Sequence, residues 1–550
     1  MSDLMRMTGM SGIDTESIIT QLVSAKSKKV TDLKNDQKKL EWKQTAWQDL
    51  NAKIYNLYSK TLSNLRLTSA YSQKSTVCSD TTKATVVASG SAVNGTQTLK
   101  INSLAKSGYL TGAKLAAKKT TTTNGAGNDV ETEAAWETKD KISDIAASLT
   151  GTTITIKTGT GDDAKTKDIE ITADMTINTF VGELKDAGVN ASFDETNQRF
   201  FISSTGTGAS KNFELSADNA DALKSLGLDP TADYGTLNGS TSKNTCVKIE
   251  GQDAEIVLNG ATFVSDSNTL TVNGLTINVI STTDEEISLV TSTDYDGIYD
   301  TIKDFFSEYN ELINEIDKLY NAESARKYDM LTDEEKDSMT DEEVEKWEDK
   351  IKSALLRKDN SLYTIMNAMT STMLEGYYTN NLSDSQKKNM TTSEIEAWYK
   401  ENGGKKYYLA DFGIETLSYF EAEDNQHHAY HINGDPDDEF TSDKDDELKV
   451  AIANDPEGTA NFFASICKAL YNKLDETMSE TTEYSSIYKV YNDKQLKSEY
   501  NDYTKKIKEA EKELSYYEDK WYSKFSAMEV ALSKLQSQSN SIASMLGTGN

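Results

Sequence analysis

The sequence has few of the residues that cross-link or stiffen a chain. It contains only three cysteines among 550 residues, Cys78, Cys246 and Cys467, and an odd number at such wide spacing predicts no disulfide framework. It also contains only three prolines, so slow prolyl isomerisation has few sites at which to delay folding. The chain is therefore expected to unfold and refold readily. Composition alone favours an ordinary cytosolic protein of a reducing compartment.

Positive charge and long apolar runs are also scarce. The chain has 58 Lys and Arg residues against 89 Asp and Glu, a formal net charge of −31 at pH 7. Such a chain repels nucleic acid phosphates and anionic lipid, so neither is expected as a partner. No apolar run approaches the roughly 20 residues that cross a bilayer, which predicts no membrane insertion. The N-terminus does not show the pattern of a signal peptide, so any export is expected to use an uncleaved signal.

Residues suited to catalysis or metal binding are few. All three histidines, His427, His428 and His431, lie in one stretch that is followed by several carboxylates. Imidazole and carboxylate groups together can bind zinc or another transition metal, and oxygen-rich loops can bind calcium. However, the residues at 433–436, Asn-Gly-Asp-Pro, predict a turn rather than a helix that would align two histidines, and we interpret the stretch as a solvated turn between strands. The chain also has no nucleophile elbow or phosphate-binding loop. It is expected to be no enzyme and to hold no cofactor or metal.

Both ends of the chain carry long helical apolar patterns. From residue 496 to residue 545, apolar residues recur at alternating steps of three and four, with two interruptions. An N-terminal pattern repeats every seven residues, at Leu33, Leu40, Trp47 and Ile54. A lone helix would leave such a stripe in water, so the two ends are predicted to pair as a coiled coil. The N-terminal helical pattern extends to about residue 67, with a break near residues 26–29.

The middle of the chain has a different sequence pattern. Short β-favouring segments alternate with turns rich in Thr, Ser, Gly and Asn up to about residue 290. The clearest predicted strands are 84–88, 96–101, 152–157, 200–204, 254–258 and 275–280. One helix is predicted inside this region at 176–187, closed by Gly188 and followed by a strand at 189–193. We interpret this region as a β-rich head.

A second helical region begins at residue 295 and contains an internal repeat. Residues 331–347 match residues 382–398 at an offset of 51. Each copy is predicted to form two short helices that begin with capping boxes. The predicted boxes pair Thr332 with Glu335, Thr340 with Glu343, Ser383 with Gln386, and Thr391 with Glu394. Because capping is a structural device, we interpret the duplication as an elaboration of the helical region rather than as a pair of contact elements.

Together these patterns predict a multidomain α+β fold, in which the terminal helices form a coiled-coil leg and a β-rich head of about two subdomains is inserted between them. The predicted N-terminal coiled-coil helices occupy 1–72. An inner β-rich head subdomain combines 73–115 with 240–292, and an outer α+β head subdomain occupies 116–239. A helical domain follows at 293–480, and a C-terminal coiled-coil helix at 481–550.

Several strings of the sequence resemble the flagellar hook-associated protein 2 family, whose members cap the bacterial flagellar filament. The string Gly-Ile-Asp-Thr-Glu-Ser-Ile-Ile-Thr-Gln-Leu-Val at 12–23 resembles the opening of that family, and 95–105 resembles its first strand pair in the head. Further similar strings lie at 189–194, 254–260, 267–270, 305–313, 411–415, 461–463 and 521–528. Their order and spacing follow the family along nearly the whole chain.

The resemblance implies a structural role in flagellum assembly. It implies export in an unfolded state through the flagellar type III apparatus, with an export chaperone as a partner, and a location outside the cell at the distal tip of the filament. There a homo-oligomeric ring would hold its heads as a plate and reach flagellin with its helical legs. The ring would help emerging flagellin subunits to fold and insert without covalent chemistry. Some members of the family also adhere to host surfaces.

Six apolar residues of the terminal helices are predicted to contact flagellin or another copy of the chain: Ile18, Leu22, Leu33, Leu535, Ile542 and Met545. An alternative of equal weight is that some of them only hold the two terminal helices together. Two other functions stay open at this point. One is a hook–filament junction protein, which also combines coiled-coil ends with β heads. The other is a secreted adhesin that binds glycan or mucin through the β head.

Overall fold

The structure, a computed structural model, describes residues 15–123, 129–219, 221–237, 240–380, 382, 384–402, 404–479 and 481–545. The chain divides into two compact units. The first unit joins the chain up to Tyr71 with the chain from Tyr295 onward, and the second unit is Ser72–Asp294. The first is mainly helical and the second is mainly β. The predicted α+β class, with helices at both ends and a β-rich middle, is confirmed.

The described helices are α1 (Thr15–Asn56), α2 (Ser63–Leu65), α3 (Ile177–Asp186), α4 (Ala222–Ser225), α5 (Tyr295–Tyr320), α6 (Asp333–Asp337), α7 (Asp341–Ser353), α8 (Asn360–Met373), α9 (Asp384–Lys387), α10 (Thr392–Glu401), α11 (Glu447–Asn454), α12 (Pro456–Met478) and α13 (Asp493–Met545). The terminal helices α1 and α13 are the longest, with 42 and 53 residues.

The described strands are β1 (Lys74–Cys78), β2 (Ala84–Ala88), β3 (Gly95–Ser103), β4 (Tyr109–Thr111), β5 (Lys118–Thr123), β6 (Asp129–Ala134), β7 (Thr153–Thr158), β8 (Lys165–Glu170), β9 (Val189–Asp194), β10 (Arg199–Ser204), β11 (Phe213–Ala217), β12 (Val247–Ile249), β13 (Ala254–Leu258), β14 (Ala261–Ser265), β15 (Thr269–Val272), β16 (Leu275–Val279), β17 (Ile287–Thr293), β18 (Tyr377–Tyr378), β19 (Lys406–Tyr407), β20 (Ile414–Thr416) and β21 (Tyr430–Ile432).

Helix α1 is continuous through residues 26–29, so the predicted break there is wrong. The local sequence, Lys-Ser-Lys-Lys, lacks the Gly or Pro that would interrupt a helix. The helical geometry changes later, at Leu57–Leu62, which is π-helical before the chain returns to the single α-turn of α2. A π-helical segment lets the helix shift its buried face without ending.

The core of the first unit contains one apolar face of α5. Its residues Ile298, Phe305, Phe306 and Ile316 are buried, as their helical spacing predicts. They share a single apolar cluster with residues of α8, α12 and the second half of α1. Helix α12 starts where the sequence signals it, since the Asp455 carboxylate accepts a hydrogen bond from the backbone N–H of residue 458 and Pro456 occupies the first turn.

The duplicated segments form the capped helices that the repeat predicts. In α6, α7 and α10 the capping Thr accepts a hydrogen bond from the third residue of the helix, whose Glu side chain accepts one from the Thr backbone. The boxes of Thr332, Thr340 and Thr391 are therefore confirmed. The fourth predicted box involves Ser383, which lies outside the described residues.

The second unit contains two apolar clusters, each between antiparallel sheets. One lies between a five-stranded sheet of order β1-β17-β3-β13-β14 and a three-stranded sheet of order β15-β16-β2. The other lies among the sheets β12-β4-β10-β9 and β11-β7-β8 and helix α3. Helix α3 buries Ile177, Phe180, Val181 and Leu184, as predicted, and Thr176 caps its start. The six clearest predicted strands are confirmed as β2, β3, β7, β10, β13 and β16.

One hairpin of the second unit does not belong to a larger sheet of the described residues. Strands β5 and β6 pair only with each other among the described residues. No strand was predicted at 118–134, because neither face of the hairpin is buried and the sequence consequently shows no apolar alternation there. The finer division of the chain into five regions stays a prediction.

Candidate functional site

The terminal helices α1 and α13 pack against each other in antiparallel order. The Lys34 ammonium lies 2.6 Å from the Glu511 carboxylate, and Lys26 lies 3.1 Å from Glu513. The Gln37 amide donates to the Thr504 hydroxyl at 2.7 Å. Residues later in α1 contact residues earlier in α13, so the two helices are antiparallel. The apolar patterns predict that the two ends pair but not their orientation.

The ion pairs between these helices are exposed. The Lys26 and Glu513 side chains are about half accessible to solvent, and such pairs contribute little stability because water and salt screen them. The hydrogen bond from Lys26, with the charges of Lys26 and Lys29, holds the pKa of Glu513 below its usual range. These contacts fix the register of the helix pair and contribute little to its stability.

Apolar side chains supply the contact between the helices. On α1, Ile19, Val23 and Val30 are buried, with exposed fractions of 3%, 5% and 6%. On α13, Ile507 and Ala510 are buried, while residues 514, 517 and 521 are half-buried. Burial of one aliphatic side chain of this size contributes about 1.5–3 kcal/mol relative to leaving it in water. The pair is therefore held by a narrow apolar seam.

The seam of α1 changes partner along its length. Its second half, including Trp47 and Ile54, belongs to the apolar cluster of the helical core rather than to the helix pair alone. The Trp47 ring stacks on Tyr491 at 5.1 Å between centroids. Within the π-helical segment, the Tyr58 hydroxyl donates to the Asp475 carboxylate at 2.6 Å. Burial and that hydrogen bond raise the pKa of Tyr58, so the hydroxyl keeps its proton and its donor role.

Helix α13 extends beyond the described start of α1. Both helices rise equally per residue, so the register of the pairs above places Thr15 level with about residue 525 of α13. The following residues, 526–545, are called the C-terminal segment of α13. Its side chains are exposed, except that Glu529 and Ala543 are intermediate. Twenty helical residues extend about 30 Å.

The C-terminal segment carries six exposed large apolar side chains: Met528, Val530, Leu532, Leu535, Ile542 and Met545. The alternating pattern continues here, although its residues are exposed. A folded chain seldom leaves so many large apolar side chains in water, and surfaces of this kind are typical of contact sites. The predicted contact set did not include Met528, Val530 or Leu532. Met528 lies on the apolar repeat, whereas Val530 and Leu532 lie off it and only their exposure identifies them.

The six predicted contact residues differ in position and in exposure. Leu535, Ile542 and Met545 lie on the C-terminal segment, with exposed fractions of 61%, 56% and 88%. Ile18 and Leu22 are exposed on α1, at 37% and 41%. Leu33 is half-buried. Ile18 and Leu22 therefore do not form the seam with α13, a place taken by the neighbouring Ile19 and Val23. The contact of the six residues with a partner stays a prediction.

The histidine-rich stretch lies at the β20–β21 hairpin. His431 is on strand β21 and only 9% exposed, so its assignment to a solvated turn is wrong. Its Nδ1 atom lies 2.7 Å from the Asp438 carboxylate, and this pairing explains how an imidazole is accommodated in the core. The His427 ring stacks on Tyr419 at 4.5 Å. Among the described residues, no group of three or more His, Cys, Asp or Glu side chains is arranged to hold a metal ion.

The nearby carboxylates are held by a lysine. The Lys303 ammonium of α5 lies 2.7 Å from Asp435 and 2.6 Å from Asp437. The hydrogen bond from Lys303 holds the pKa of Asp437 below its usual range. These ion pairs connect the loop after β21 to α5, so a structural role accounts for the two carboxylates. Within the described ranges, no helix combines the length and the apolarity that a membrane span requires.

Comparison with known proteins gives matches at both ends of the chain. The protein-family model of the flagellar hook-associated protein 2 C-terminus matches residues 251–537. The family model of the flagellar hook-associated protein 2 N-terminus matches residues 11–108. The flagellar hook-associated protein 2 of Halalkalibacterium halodurans is 27% identical over 391 residues, which cover 68% of this chain and 70% of that protein. The protein of the same name from Thermotoga maritima is 24% identical, and the alignment covers 98% of this chain and 95% of that protein.

Among solved structures, the D1-D2-D3 domains of the flagellar cap protein FliD from Escherichia coli are similar to this chain. The match covers 80% of this chain and 97% of that one, at 19% identity and a TM-score of 0.48.

Proposed function

The chain belongs to the flagellar hook-associated protein 2 family, and from this membership we propose that it caps the flagellar filament at its distal tip. In this proposal, several copies assemble into a ring, and the paired helices α1 and α13 reach the flagellin subunits below. The role is structural rather than enzymatic. The ring promotes the folding and insertion of each arriving flagellin.

The observation that carries this proposal is the exposed apolar surface of the C-terminal segment of α13. Leu535, Ile542 and Met545 are more than half exposed. A helix that only completed the fold of its own chain would cover such residues. Their exposure fits a helix end that another protein covers, and flagellin is the partner expected at the tip of a filament.

The proposed mechanism of flagellin insertion follows from the small energy of each side-chain contact. Each apolar side chain buried by a partner contributes about 1.5–3 kcal/mol. The contacts of Ile18 and Leu22 on α1 and of Leu535, Ile542 and Met545 on α13 are therefore individually weak. A set of weak contacts can be released and remade as each subunit arrives, and the burial of apolar surface by the incoming subunit drives the exchange. Leu33, which is half-buried, contributes less.

Export in an unfolded state through the flagellar type III apparatus, with an export chaperone, belongs to the same proposal, as does an extracellular location. The support is chemical. All three cysteines are buried and unpaired, so no disulfide opposes unfolding before export.

The decisive experiment replaces Ile542 and Met545 with Asp in cells whose only copy of the chain is the variant. Filament growth and the oligomeric state of the purified protein are both measured. A matched control places Asp at Gln536 and Gln538, which adds the same charge to the same exposed helix without removing apolar surface. Loss of growth with an intact oligomer, and normal growth of the control, would support a flagellin contact.

Other results have clear meanings. Loss of the oligomer would assign these residues to contacts between copies. Normal growth and a normal oligomer would contradict any contact role. Immunolabelling separates the two other functions, because a hook–filament junction protein would be found at the base of the filament. An adhesin would bind mucin as a full-length protein while cells without it still grew normal filaments.

A further inference from the structure

The β5–β6 hairpin of the second unit presents two open edges. Its six residue pairs run from Lys118 opposite Ala134 to Thr123 opposite Asp129. Neither strand pairs with a third strand among the described residues. In an antiparallel pair, every second residue turns its N–H and C=O groups away from the partner strand. Each edge therefore offers a row of backbone donors and acceptors, which is a template for another strand.

Both faces of the hairpin are also largely exposed to solvent. Every side chain of β6 is exposed, and only residues 118 and 120 of β5 are half-buried. The hairpin is anchored at its base, where the Lys118 ammonium lies 2.7 Å from Asp140 and 5.4 Å from the ring centre of Trp136. A two-stranded ribbon with no covered face is at best marginally stable in water. A third strand beside it would supply the missing backbone hydrogen bonds.

The two edges differ in charge. Strand β6 carries three carboxylates on one face, from Asp129, Glu131 and Glu133. On the same face, β5 carries Lys119 beside two threonines, and the Lys119 ammonium lies 3.5 Å from Glu131 of its own hairpin, with the two side chains 73% and 68% exposed. The opposite face is uncharged beyond Lys118 and contains β-branched residues, including the Thr120 and Thr132 hydroxyls at 2.9 Å from each other. One edge is therefore acidic and the other carries a cation.

From this asymmetry we infer that β5 of one copy pairs with β6 of the next copy of the same chain. Side-by-side repetition gives the order β5-β6-β5-β6, in which every neighbour is antiparallel and the charged face stays on one side. Lys119 of one copy then lies beside the acidic row of the next. Such a head-to-tail contact closes into a ring when its rotation closes. The inference rests on the self-association proposed above and names the surface that produces it.

The charges disfavour the symmetric alternative for β6. Two β6 strands placed edge to edge would bring six carboxylates together on one face, and like charges on neighbouring strands are destabilising. Two β5 strands edge to edge would leave both acidic edges open and would stop at a dimer. The pairing of unlike edges uses both edges of every hairpin.

The test is the self-association of full-length protein, measured by sedimentation over a range of concentrations. The variants are K119E, the pair E131K/E133K, and the triple exchange K119E/E131K/E133K. Pairing of unlike edges predicts that each of the first two weakens association by about tenfold or more, because each places like charges across the contact. The triple exchange restores association. An equimolar mixture of the first two also recovers it, since each acidic edge then meets a basic one.

The control is E285K/E286K, which makes the same charge change at an exposed loop of the same unit. It leaves association unchanged, and circular dichroism confirms that all variants fold. An effect of E131K/E133K without one of K119E would overturn the inference in favour of β6 pairing with β6. An effect of K119E alone would overturn it in favour of β5 pairing with β5.

The experiment also separates this inference from the proposed function. If the native chain stays monomeric at every concentration, the proposed ring fails and this inference fails with it. If the native chain and all hairpin variants associate equally, only the hairpin inference is overturned and the ring is held by another surface.

Discussion

The side chain of Asn51 is hydrogen-bonded to two backbone groups near Val490, more than four hundred residues later in the chain. Its Oδ1 accepts from the Val490 N–H at 2.9 Å, and its Nδ2 donates to the Tyr488 carbonyl at 3.2 Å. Asn51 is only 3% exposed. One side chain of α1 thereby fixes the segment that leads into α13, and so the point from which the C-terminal helix starts.

Replacement of Asn51 by Ala is expected to lower the free energy of unfolding by about 1–3 kcal/mol, because the buried Val490 N–H and the partly buried Tyr488 C=O lose their partner together. Equilibrium unfolding in urea, followed by circular dichroism, measures the change. Asn56→Ala is the control, since Asn56 is exposed on the same helix. An equal loss in both variants would mean that the two hydrogen bonds of Asn51 contribute nothing specific.

Trp47→Ala is expected to destabilise the first unit by about 3–5 kcal/mol, as the substitution opens a cavity and removes the stack on Tyr491. Trp42→Ala should cost about 1 kcal/mol at most, since Trp42 is half-exposed and its notable contact is the Lys352 ammonium at 5.0 Å. Thermal unfolding by circular dichroism compares them. Similar losses would show that Trp47 is not central to the core.

The stability of the second unit should depend on Asp140 in a pH-dependent way. Burial alone would raise the pKa of Asp140, but hydrogen bonds from the Glu137 backbone and from Lys118 outweigh it and hold the pKa below its usual range. The ionised form therefore stabilises the fold above the unfolded pKa of about 3.9, and this contribution is lost as the pH falls through the lower folded pKa.

Asp140→Asn should consequently be less stable than the native protein at pH 7, and the difference should start to shrink only below the unfolded pKa of about 3.9 and disappear once the pH is below the lower folded pKa. Unfolding free energies measured from pH 7 down to about pH 2 provide the curve. Asp144→Asn, at an exposed neighbouring position, serves for comparison. A difference that persisted unchanged at low pH would show that the carboxylate charge is not what matters at Asp140.

The capping boxes of the repeat should be equivalent in energy. Thr340→Ala and Thr391→Ala each remove a side-chain acceptor, and each is expected to destabilise its own helix by about 0.5–2 kcal/mol. Hydrogen exchange should accelerate in α7 for the first variant and in α10 for the second, with little change elsewhere. Thr364→Ala, in the interior of α8, should leave both helices unaffected. Acceleration throughout the unit would contradict a local capping role.

Much of the fold was accessible from the sequence because local pattern and tertiary burial agree. Helix α3 has one apolar face and a capping Thr176, and strands β2 and β13 have the expected bounds. In α5, the spacing that predicts the helix also selects the residues that are buried. At these places no long-range information was needed.

The candidate site was predicted less completely, for a physical reason. Ile18-Ile19 and Leu22-Val23 are adjacent apolar pairs, so the sequence offers two faces of α1, and only the position of α13 selects Ile19 and Val23 for burial. His431 was misplaced because its environment depends on Asp438 and on a strand pair closed by a long loop. The β5–β6 hairpin was missed because exposed strands have no apolar alternation to detect.

The way in which the second unit interrupts the first has a consequence for synthesis. Residues 72–294 form a contiguous unit, which has all its own contacts once that stretch has left the ribosome. Helix α1 must wait for α13, whose partner residues follow 467 to 487 residues later in the chain. The first half of its apolar stripe thus stays uncovered until α13 has been made, a long interval in which a helper protein has access to it.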